Sequence, residues 1–544
     1  MMDCQQKRNV LSMPDLKVLA RAALPVLLLL GACAGGGGER PPNIAPAVTT
    51  AVPVPELRPE AGPDGATFAT REIAATADPR QGELSSGLGA IKTAPTLPVS
   101  SYQVGTEVGY LLVDLESGLE QASLNADLPL IPASTVKLAT AVVALDVLGP
   151  EHRFPTELLA AGPVRGGVLQ GDLILRGGGD PALDVADLLG LAIRLDIIGI
   201  RRVDGRFLID DTAMPRLSEI DPRQPAEAAY NPGIGALSVA FNRVQVRWQG
   251  GEELATLPPL DEALFQAIAP SRLPPGGVEL AGGDGDAVIW RIADRGRRQE
   301  LTLPVKDAGM HAGNVFRRLA AAQGIELPAP RRATAPRDAQ LVAVHQSPPL
   351  RQLVRDMLLY SNNMMAEVIA LQAASRLGDV SSGLGAAGAL MLDRLALRMP
   401  EVDWQGALLT NGSGLDAGAR LTPRQLVAIA RYGWRSEALA ALLPGGGWSG
   451  TLSNRFEDSR HALRVWAKTG SVNYGSSLAG YLFTASGRPA VFVTMVSDVG
   501  ARAEYDAVRR PGSRAQARAR AWNARARALQ DDLVETWLEP MLAS

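Results

Sequence analysis

The sequence is poor in cysteine and histidine. Only two of its 544 residues are cysteine and four are histidine. Both cysteines, Cys4 and Cys33, lie near the N-terminus, so no disulfide is expected in the rest of the chain. The histidines are scattered, without a His-Glu-x-x-His motif or a Cys/His cluster, so the sequence predicts no metal site. We expect no cofactor.

Positive charge is not in excess. The chain has 54 Lys and Arg against 57 Asp and Glu, a formal net charge of −3. Nucleic-acid-binding proteins usually have a basic bias, so no nucleic-acid partner is expected. Apolar residues, in contrast, make up 46% of the chain. This is enough for large cores, and the length allows more than one domain.

Lysine is scarce among the basic residues, because only six of them are lysine and arginine supplies the rest. An amine can lose its proton and acts as a compact point charge, whereas a guanidinium stays protonated. Lysines retained in such a chain are therefore candidates for chemistry. Two of the six, Lys137 and Lys468, lie in the strongest motifs of the sequence.

Ser134 and Lys137 form the only Ser-x-x-Lys motif of the chain. The residues from Leu138 to Leu148 are apolar at helical spacing on one face, and Gly149-Pro150 ends the pattern. Ser134 is thus predicted at the first turn of a core-facing helix, with Lys137 one turn away. The amine can accept the hydroxyl proton there, and the helix N-terminus favours a developing anion. The motif alone is weak, because Ser at a helix start is usually an N-cap.

Two further motifs follow in order. Ser361-x-Asn363 lies between two predicted helices, and Lys468-Thr469-Gly470 is predicted to end a strand that begins at Leu463. Together with Ser134-x-x-Lys137, this set is typical of penicillin-binding proteins and class A β-lactamases. Each motif is weak alone, but their order and structural setting make the combination a strong indication.

From about residue 100 to 500 the chain resembles the low-molecular-mass class C penicillin-binding proteins, the D-alanyl-D-alanine carboxypeptidase/endopeptidase family. In that family a large insertion separates the first two motifs, and here 224 positions separate Lys137 from Ser361. Class A β-lactamases have a much shorter gap. The resemblance also includes these stretches: Pro132-Ala133-Ser134, Gly179-Asp180-Pro181, Ala236-Leu237-Ser238, Ser347-Pro348-Pro349-Leu350, Ala366-Glu367, Gly412-Ser413-Gly414-Leu415 and Gly450-Thr451-Leu452.

The resemblance implies an α+β fold. A serine β-lactamase/transpeptidase-like domain, with an antiparallel sheet flanked by helices, is expected from residues 96–158 and 338–540. A large inserted strand-rich region, residues 159–337, is expected to form one or two extra domains.

The resemblance also implies a serine-type D-Ala-D-Ala carboxypeptidase or endopeptidase, with peptidoglycan peptides as substrates and β-lactam antibiotics as inhibitors. A β-lactamase or a catalytically silent cell-wall binding protein is the alternative. Burial and the nearby Lys468 charge are expected to keep the Lys137 amine neutral. The implied catalytic roles are nucleophile for Ser134, general base for Lys137 and proton relay for Ser361, while Asn363 contacts Lys137 and the substrate backbone. Lys468 and the Thr469 hydroxyl are implied to bind the terminal carboxylate, and the backbone N–H groups of Ser134 and Ser471 to form the oxyanion hole. Thr469, Gly470 and Ser471 together form the implied substrate-binding stretch.

Two residues depart from the family pattern. Asn411 and Asp416 stand where the family often has Asp and Ser in Asp-Gly-Ser-Gly-Leu-Ser. The family's inserted domain carries an acidic residue that meets the diaminopimelate side chain of the substrate. Asp221 or Glu227 lies near the expected place here.

Residues 1–34 are typical of an export signal, with a short apolar core, Ala22–Leu30. Leu30-Gly31-Ala32-Cys33 resembles the lipobox of bacterial lipoproteins and predicts lipidation of Cys33; ordinary cleavage after Ala34 is the alternative. Either way we expect an exported, periplasmic protein. If Cys33 is lipidated, its lipid anchor is the only membrane contact that the sequence predicts. Residues 35–95 are predicted to form a disordered tether. The arginine-rich segment 509–527 is predicted to be a helix with a solvated face.

Overall fold

A computed structural model describes the chain from residue 97 onward. The predicted leader 1–34, the tether 35–95 and Cys33 lie outside the described residues. The described residues are 97–105, 107–249, 253–258, 265–268, 272–273, 277–282, 288–293, 295, 299–458, 460–483, 488–508 and 512–542.

Strands are most frequent in the middle of the chain. In chain order they are β1 (Val108–Asp114), β2 (Glu120–Leu124), β3 (Pro155–Ala161), β4 (Val164–Arg165), β5 (Val168–Leu169), β6 (Asp172–Gly177), β7 (Arg202–Val203), β8 (Phe207–Asp210), β9 (Arg243–Gln249), β10 (Glu253–Leu257), β11 (Phe265–Ile268), β12 (Val278–Gly282), β13 (Val288–Ala293), β14 (Gln299–Pro304), β15 (Pro330–Arg332), β16 (Gln340–Gln346), β17 (Val465–Val472), β18 (Gly475–Phe483) and β19 (Pro489–Ser497).

Helices dominate the second half of the chain. They are α1 (Val136–Leu148), α2 (Val185–Ile197), α3 (Ala308–Ala322), α4 (Leu350–Tyr360), α5 (Asn363–Ala374), α6 (Leu384–Arg398), α7 (Pro423–Ser436), α8 (Val499–Asp506) and α9 (Ser513–Leu542). Among the described residues, no helix is long and apolar enough to cross a membrane.

The largest core surrounds an antiparallel sheet of order β17-β18-β19-β1-β2. Because side chains alternate along a strand, Leu111 and Val113 of β1 face one side of the sheet and Tyr110 and Leu112 the other. The first side packs against α1, α4, α5, α6 and α7, and the second against α9. An antiparallel sheet flanked by helices confirms the predicted fold class.

The chain between α1 and α4 forms further sheets. A mixed sheet of order β15-β8-β6-β3-β16 packs against α2 and α3. Strands β3 and β16 pair at its edge, where the chain enters and leaves this region. Three three-stranded sheets complete the region as described: β10-β9-β14, β11-β13-β12 and β4-β5-β7.

Three local predictions are wrong. Helix α1 was expected to bury one face, but every residue from Val136 to Leu145 is buried, because the helix lies between the sheet and other helices. The Lys468 motif was expected to end a strand, yet it lies inside β17, where it pairs with β18. The apolar stretch 168–176 predicts a single strand, but the structure interrupts it at Gly171, because β5 and β6 pair in different sheets.

A fold prediction concerns Trp537, which is fully buried between α9 and the sheet. Its ring lies 5.6 Å from that of Tyr110 and 6.2 Å from that of Phe492. Trp537→Ala should reduce the free energy of unfolding by about 3–5 kcal/mol, because it opens a large cavity. Urea denaturation measures the change.

Trp448, which is 73% exposed, supplies the matched control. Trp448→Ala should change the free energy of unfolding by less than about 0.5 kcal/mol. Equal losses in the two variants would contradict the packing of α9 against the sheet.

Candidate active site

Ser134 lies in a 3₁₀ turn, Ala133–Thr135, that leads directly into α1. The turn is strained, because Ala133 has φ +46°, a left-handed conformation that is rare outside glycine. The Thr135 hydroxyl donates to the Pro132 carbonyl at 2.7 Å, and the Ser477 hydroxyl of β18 donates to the same carbonyl. The sheet thus holds the turn in its strained conformation.

Two glycines let the surrounding chain approach this turn. A Cβ atom at Gly470 of β17 would lie 2.2 Å from Ser477 Oγ and 3.0 Å from Ser134 N. A Cβ atom at Gly414, whose φ is +71°, would lie 1.9 Å from Ala133 O. The distances to Ser477 Oγ and to Ala133 O are shorter than any that real Cβ atoms show. Only glycine therefore allows this close packing around Ser134.

The Lys137 amine is fully buried and has three oxygen neighbours. Nζ lies 2.9 Å from Ser134 Oγ, 2.8 Å from Asn363 Oδ1 and 2.7 Å from the Ser413 carbonyl. The amide and carbonyl oxygens can only accept hydrogen bonds. A neutral amine would satisfy both with its two N–H groups, which leaves its lone pair directed at the Ser134 hydroxyl. The geometry thus suits transfer of the hydroxyl proton to Lys137.

Burial lowers the pKa of Lys137 to about 7, and the negative charge of Glu367 opposes this shift. The expected contribution from the Lys468 charge is wrong. Lys468 is itself fully buried, and burial, with the Lys137 charge in addition, lowers its pKa well below the ordinary value. Desolvation of the ammonium is therefore the main cause of both shifts.

Asn363 joins the site to the inserted region. Its Nδ2 donates to the Tyr230 carbonyl at 3.1 Å, while its Oδ1 accepts from Lys137. Ser361 ends α4 with φ +54° and is half-buried. Among the hydrogen bonds of the described residues, none joins the Ser361 hydroxyl to Ser134 or Lys137. In the described part of the chain, Asn363 is thus hydrogen-bonded to the amine and Ser361 is not.

Strand β17 carries the third motif along the side of the Ser134 turn. Lys468 is buried and its Nζ donates to the Thr469 carbonyl at 2.6 Å. Thr469 is half-buried and Ser471 is exposed. Because Gly470 packs against the Ser134 turn, the Lys468-Thr469-Gly470 stretch of β17 lies beside Ser134.

Glu367, which belongs to the Ala366-Glu367 stretch of the family resemblance, has a role in the site that the sequence did not predict. Its buried carboxylate accepts the N–H groups of Gly412 and Ser413, each at 2.9 Å. The Ser413 carbonyl in turn accepts from Lys137. Glu367 thus fixes the loop that supplies one of the three oxygens around the amine. A lone carboxylate in the apolar helix α5 was the signal for this role.

The two candidate acidic residues of the inserted region differ in their surroundings. Asp221 is buried and accepts from Arg223 Nε at 2.9 Å and from Gln224 Nε2 at 3.0 Å. Arg223 also pairs with Asp416, a residue that lies outside the inserted region, after α6. Glu227 is half-buried. The Asp221 carboxylate therefore already has partners within the protein.

Asn411 is compatible with its position despite the departure from the family pattern. Its Oδ1 accepts the Gly414 N–H at 2.8 Å, which closes the turn around Ser413. An Asp side chain would offer the same acceptor.

No group of three or more His, Cys, Asp or Glu that could hold a metal ion occurs in the described part of the chain.

The sequence matches known proteins over most of its length. The profile of the D-Ala-D-Ala carboxypeptidase 3 (S13) family matches residues 100–518. The D-alanyl-D-alanine carboxypeptidase of an Actinomadura species is 30% identical over 456 residues, which cover 76% of this chain and 81% of that protein. The D-alanyl-D-alanine carboxypeptidase DacB of Haemophilus influenzae is 24% identical, with 72% of this chain and 86% of that protein covered.

The fold also matches a solved structure. The crystal structure of penicillin binding protein 4 (dacB) from Haemophilus influenzae superposes with a TM-score of 0.64 at 23% identity, covering 80% of this chain and 99% of that one. A structure of the same protein in complex with a β-lactam gives a TM-score of 0.63.

The close packing at Gly470 predicts that a larger residue there destabilises the protein. In Gly470→Ala, the new methyl group would collide with Ser477 Oγ and push β17 away from the Ser134 turn. The free energy of unfolding should fall by about 1–3 kcal/mol, as for other overpacked sites. Urea denaturation measures this loss.

The control is Gly190→Ala in helix α2, where a Cβ atom meets nothing within 4 Å. Alanine inside a helix is favoured over glycine by about 1 kcal/mol, so this variant should be unchanged or more stable. A Gly470→Ala protein as stable as the parent would refute the close packing.

Proposed function

The chain belongs to the D-Ala-D-Ala carboxypeptidase 3 (S13) family of peptide hydrolases, and we propose that it cleaves D-alanyl-D-alanine bonds in peptidoglycan stem peptides through an acyl-enzyme on Ser134. The observation that carries the proposal is the buried Lys137 amine, 2.9 Å from the Ser134 hydroxyl and held by two further acceptors. The matched relatives, which are named D-alanyl-D-alanine carboxypeptidases, support the substrate class.

In the proposed acylation step, the Ser134 hydroxyl gives its proton to the lone pair of Lys137 while Oγ attacks the carbonyl carbon between the two D-alanines. With a pKa of about 7, a substantial fraction of the amine is neutral at neutral pH. The protonated Lys137 then holds the proton that the leaving D-alanine amine needs. We assign the relay of this proton to Ser361. Ser361 ends α4, two residues before Asn363, which begins α5 and contacts Lys137.

The substrate would be held along β17. The Lys468 amine and the Thr469 hydroxyl would bind the terminal carboxylate, and the backbone N–H groups of Ser134 and Ser471 would face the developing oxyanion. Such a donor typically contributes about 3 kcal/mol to the transition state. An arriving carboxylate would raise the lowered pKa of Lys468 and return it to the charged form. Binding of the carboxylate would thus charge Lys468.

Water would then release the acyl group from Ser134. Carboxypeptidase and endopeptidase reactions would use the same groups, because both cleave a bond that follows a D-alanine carbonyl. β-Lactams, which resemble the D-alanyl-D-alanine amide, would acylate Ser134. The β-lactam complex of a protein with this fold supports this part of the proposal.

The activity itself is tested with a synthetic peptide ending in D-Ala-D-Ala. The parent protein should release D-alanine, and Ser134→Ala should lower the rate by at least about a thousandfold, because the nucleophile is lost. Ser375→Ala, which removes an exposed hydroxyl just after the end of α5, is the control and should keep the parent rate. Unchanged release by Ser134→Ala would refute the proposed nucleophile.

A second test uses the pH dependence of acylation by a fluorescent penicillin. Only the neutral Lys137 amine can accept the proton, so the rate should rise with pH through a midpoint of about 7. Glu367→Gln removes a negative charge that favours the ammonium form, so the midpoint should move to lower pH. Stopped-flow or quenched labelling across the pH range measures both curves.

The control for this test is Glu157→Gln, which removes a carboxylate that pairs with Arg176 in the inserted region. Its midpoint should equal that of the parent. A midpoint unchanged in Glu367→Gln, or moved to higher pH, would contradict the influence of Glu367 on Lys137.

We also propose that the protein is exported to the periplasm and anchored by a lipid on Cys33. The lipobox-like Leu30-Gly31-Ala32-Cys33 and the apolar stretch before it support this location. Cys33→Ala should move the protein from the membrane fraction to the soluble fraction when cells are lysed and fractionated in high salt, which screens electrostatic contacts with lipid. An unchanged distribution would favour ordinary cleavage or another anchor.

A further inference from the structure

The N-terminal half of α9 has an unusual charge distribution. Residues 512–530 contain five arginines and no acidic residue, in a chain whose net charge is −3. The first turn of the helix has no acidic residue, although the positive end of the helix dipole favours Asp or Glu there and disfavours Arg. Stability of the helix alone does not account for these arginines.

The arginines lie on the outside of α9. Ala519, Trp522 and Ala526 of the same half are buried against the sheet, whereas Arg514, Arg518 and Arg520 are exposed. Within the described part of the chain, no ion pair joins these three arginines to an acidic side chain. They form what we call the arginine face of α9.

The first described residues of the chain lie next to α9, the helix that carries the arginine face. Leu97 and Tyr102 pack against the core that contains α9, and the Tyr102 hydroxyl donates to Asp532. Arg525 of α9 donates to the Gln103 carbonyl at 3.4 Å. The segment that precedes Leu97 is the predicted tether to Cys33. With roughly 60 residues, such a tether has a reach of about 45 Å.

We propose that the arginine face of α9 is a contact surface for an anionic phospholipid bilayer. The inference rests on the proposed export and lipid anchor, which would bring the bilayer within reach of α9. Since the apolar side of α9 is already buried in the protein, the contact is electrostatic and does not insert into the hydrocarbon. The catalytic helix α1 packs on the opposite face of the sheet from α9. Docking through α9 therefore keeps α1 on the side of the sheet away from the lipid.

The test is sedimentation with lipid vesicles. The full chain carries Cys33→Ser, so no acyl chain contributes to binding. It should bind vesicles containing phosphatidylglycerol more tightly than vesicles of phosphatidylcholine, and binding should fall with added salt. The triple variant Arg514→Gln, Arg518→Gln, Arg520→Gln should bind the anionic vesicles on the order of a hundredfold less tightly, about fivefold per arginine.

A control variant loses the same charge elsewhere, through Arg165→Gln, Arg331→Gln and Arg355→Gln, all at exposed positions. It should keep the parent affinity for vesicles. All the variants should be acylated by fluorescent penicillin at the parent rate, which shows that they are folded and separates this test from the test of the activity.

Three outcomes would overturn the proposal. They are equal binding of the parent to both kinds of vesicle, unchanged binding by the triple variant, and equal losses in the triple and control variants. If the triple variant binds anionic vesicles as the parent does but loses binding to purified peptidoglycan, the second of these outcomes would assign the arginines to the cell wall. Lipidation of Cys33 does not affect any of these results, because the tested chain lacks that cysteine.

Discussion

The candidate active site is arranged around one buried amine, that of Lys137. Lys137 lies in the part of α1 that is buried on every side, and its Nζ lies within hydrogen-bonding distance of oxygens from Ser134, Asn363 and Ser413. Taking an ammonium ion out of water is costly, and this cost lowers the pKa of Lys137 to about 7. The same burial that makes the core apolar thus produces a base next to the Ser134 hydroxyl.

Each neighbour of the amine comes from a different part of the chain. Ser134 precedes α1, Asn363 begins α5, and Ser413 lies in a loop that the buried Glu367 holds by two hydrogen bonds. Asn363 also binds the Tyr230 carbonyl, so the inserted region contacts the site directly. Such an arrangement requires the whole fold, because no segment contains more than two of these groups.

Much of the site was predictable from sequence, because Ser134, Lys137, Asn363 and Lys468 belong to motifs whose order is informative. The remaining contacts were not. The Ser413 and Tyr230 carbonyls act through the backbone, which every residue has, so the sequence gives no sign of them. Helix α1 was expected to bury only one face, because its apolar periodicity describes that segment alone. The helices that cover its other faces come from distant parts of the chain and leave no sign in that pattern. The effect of Glu367 on Lys137 needs a contact between α5 and a loop 45 positions later.

We propose that Ser134 forms a covalent acyl-enzyme, and that its acyl-enzyme with a β-lactam persists long enough to make the drug an inhibitor. Intact-protein mass spectrometry after brief exposure to benzylpenicillin, followed over hours and combined with peptide mapping, tests it most directly. The account predicts one stable adduct, located on the peptide that contains Ser134. An adduct lost within seconds together with hydrolysed drug would indicate a β-lactamase. No adduct on the folded protein would indicate a silent binding protein, and either result would contradict the account.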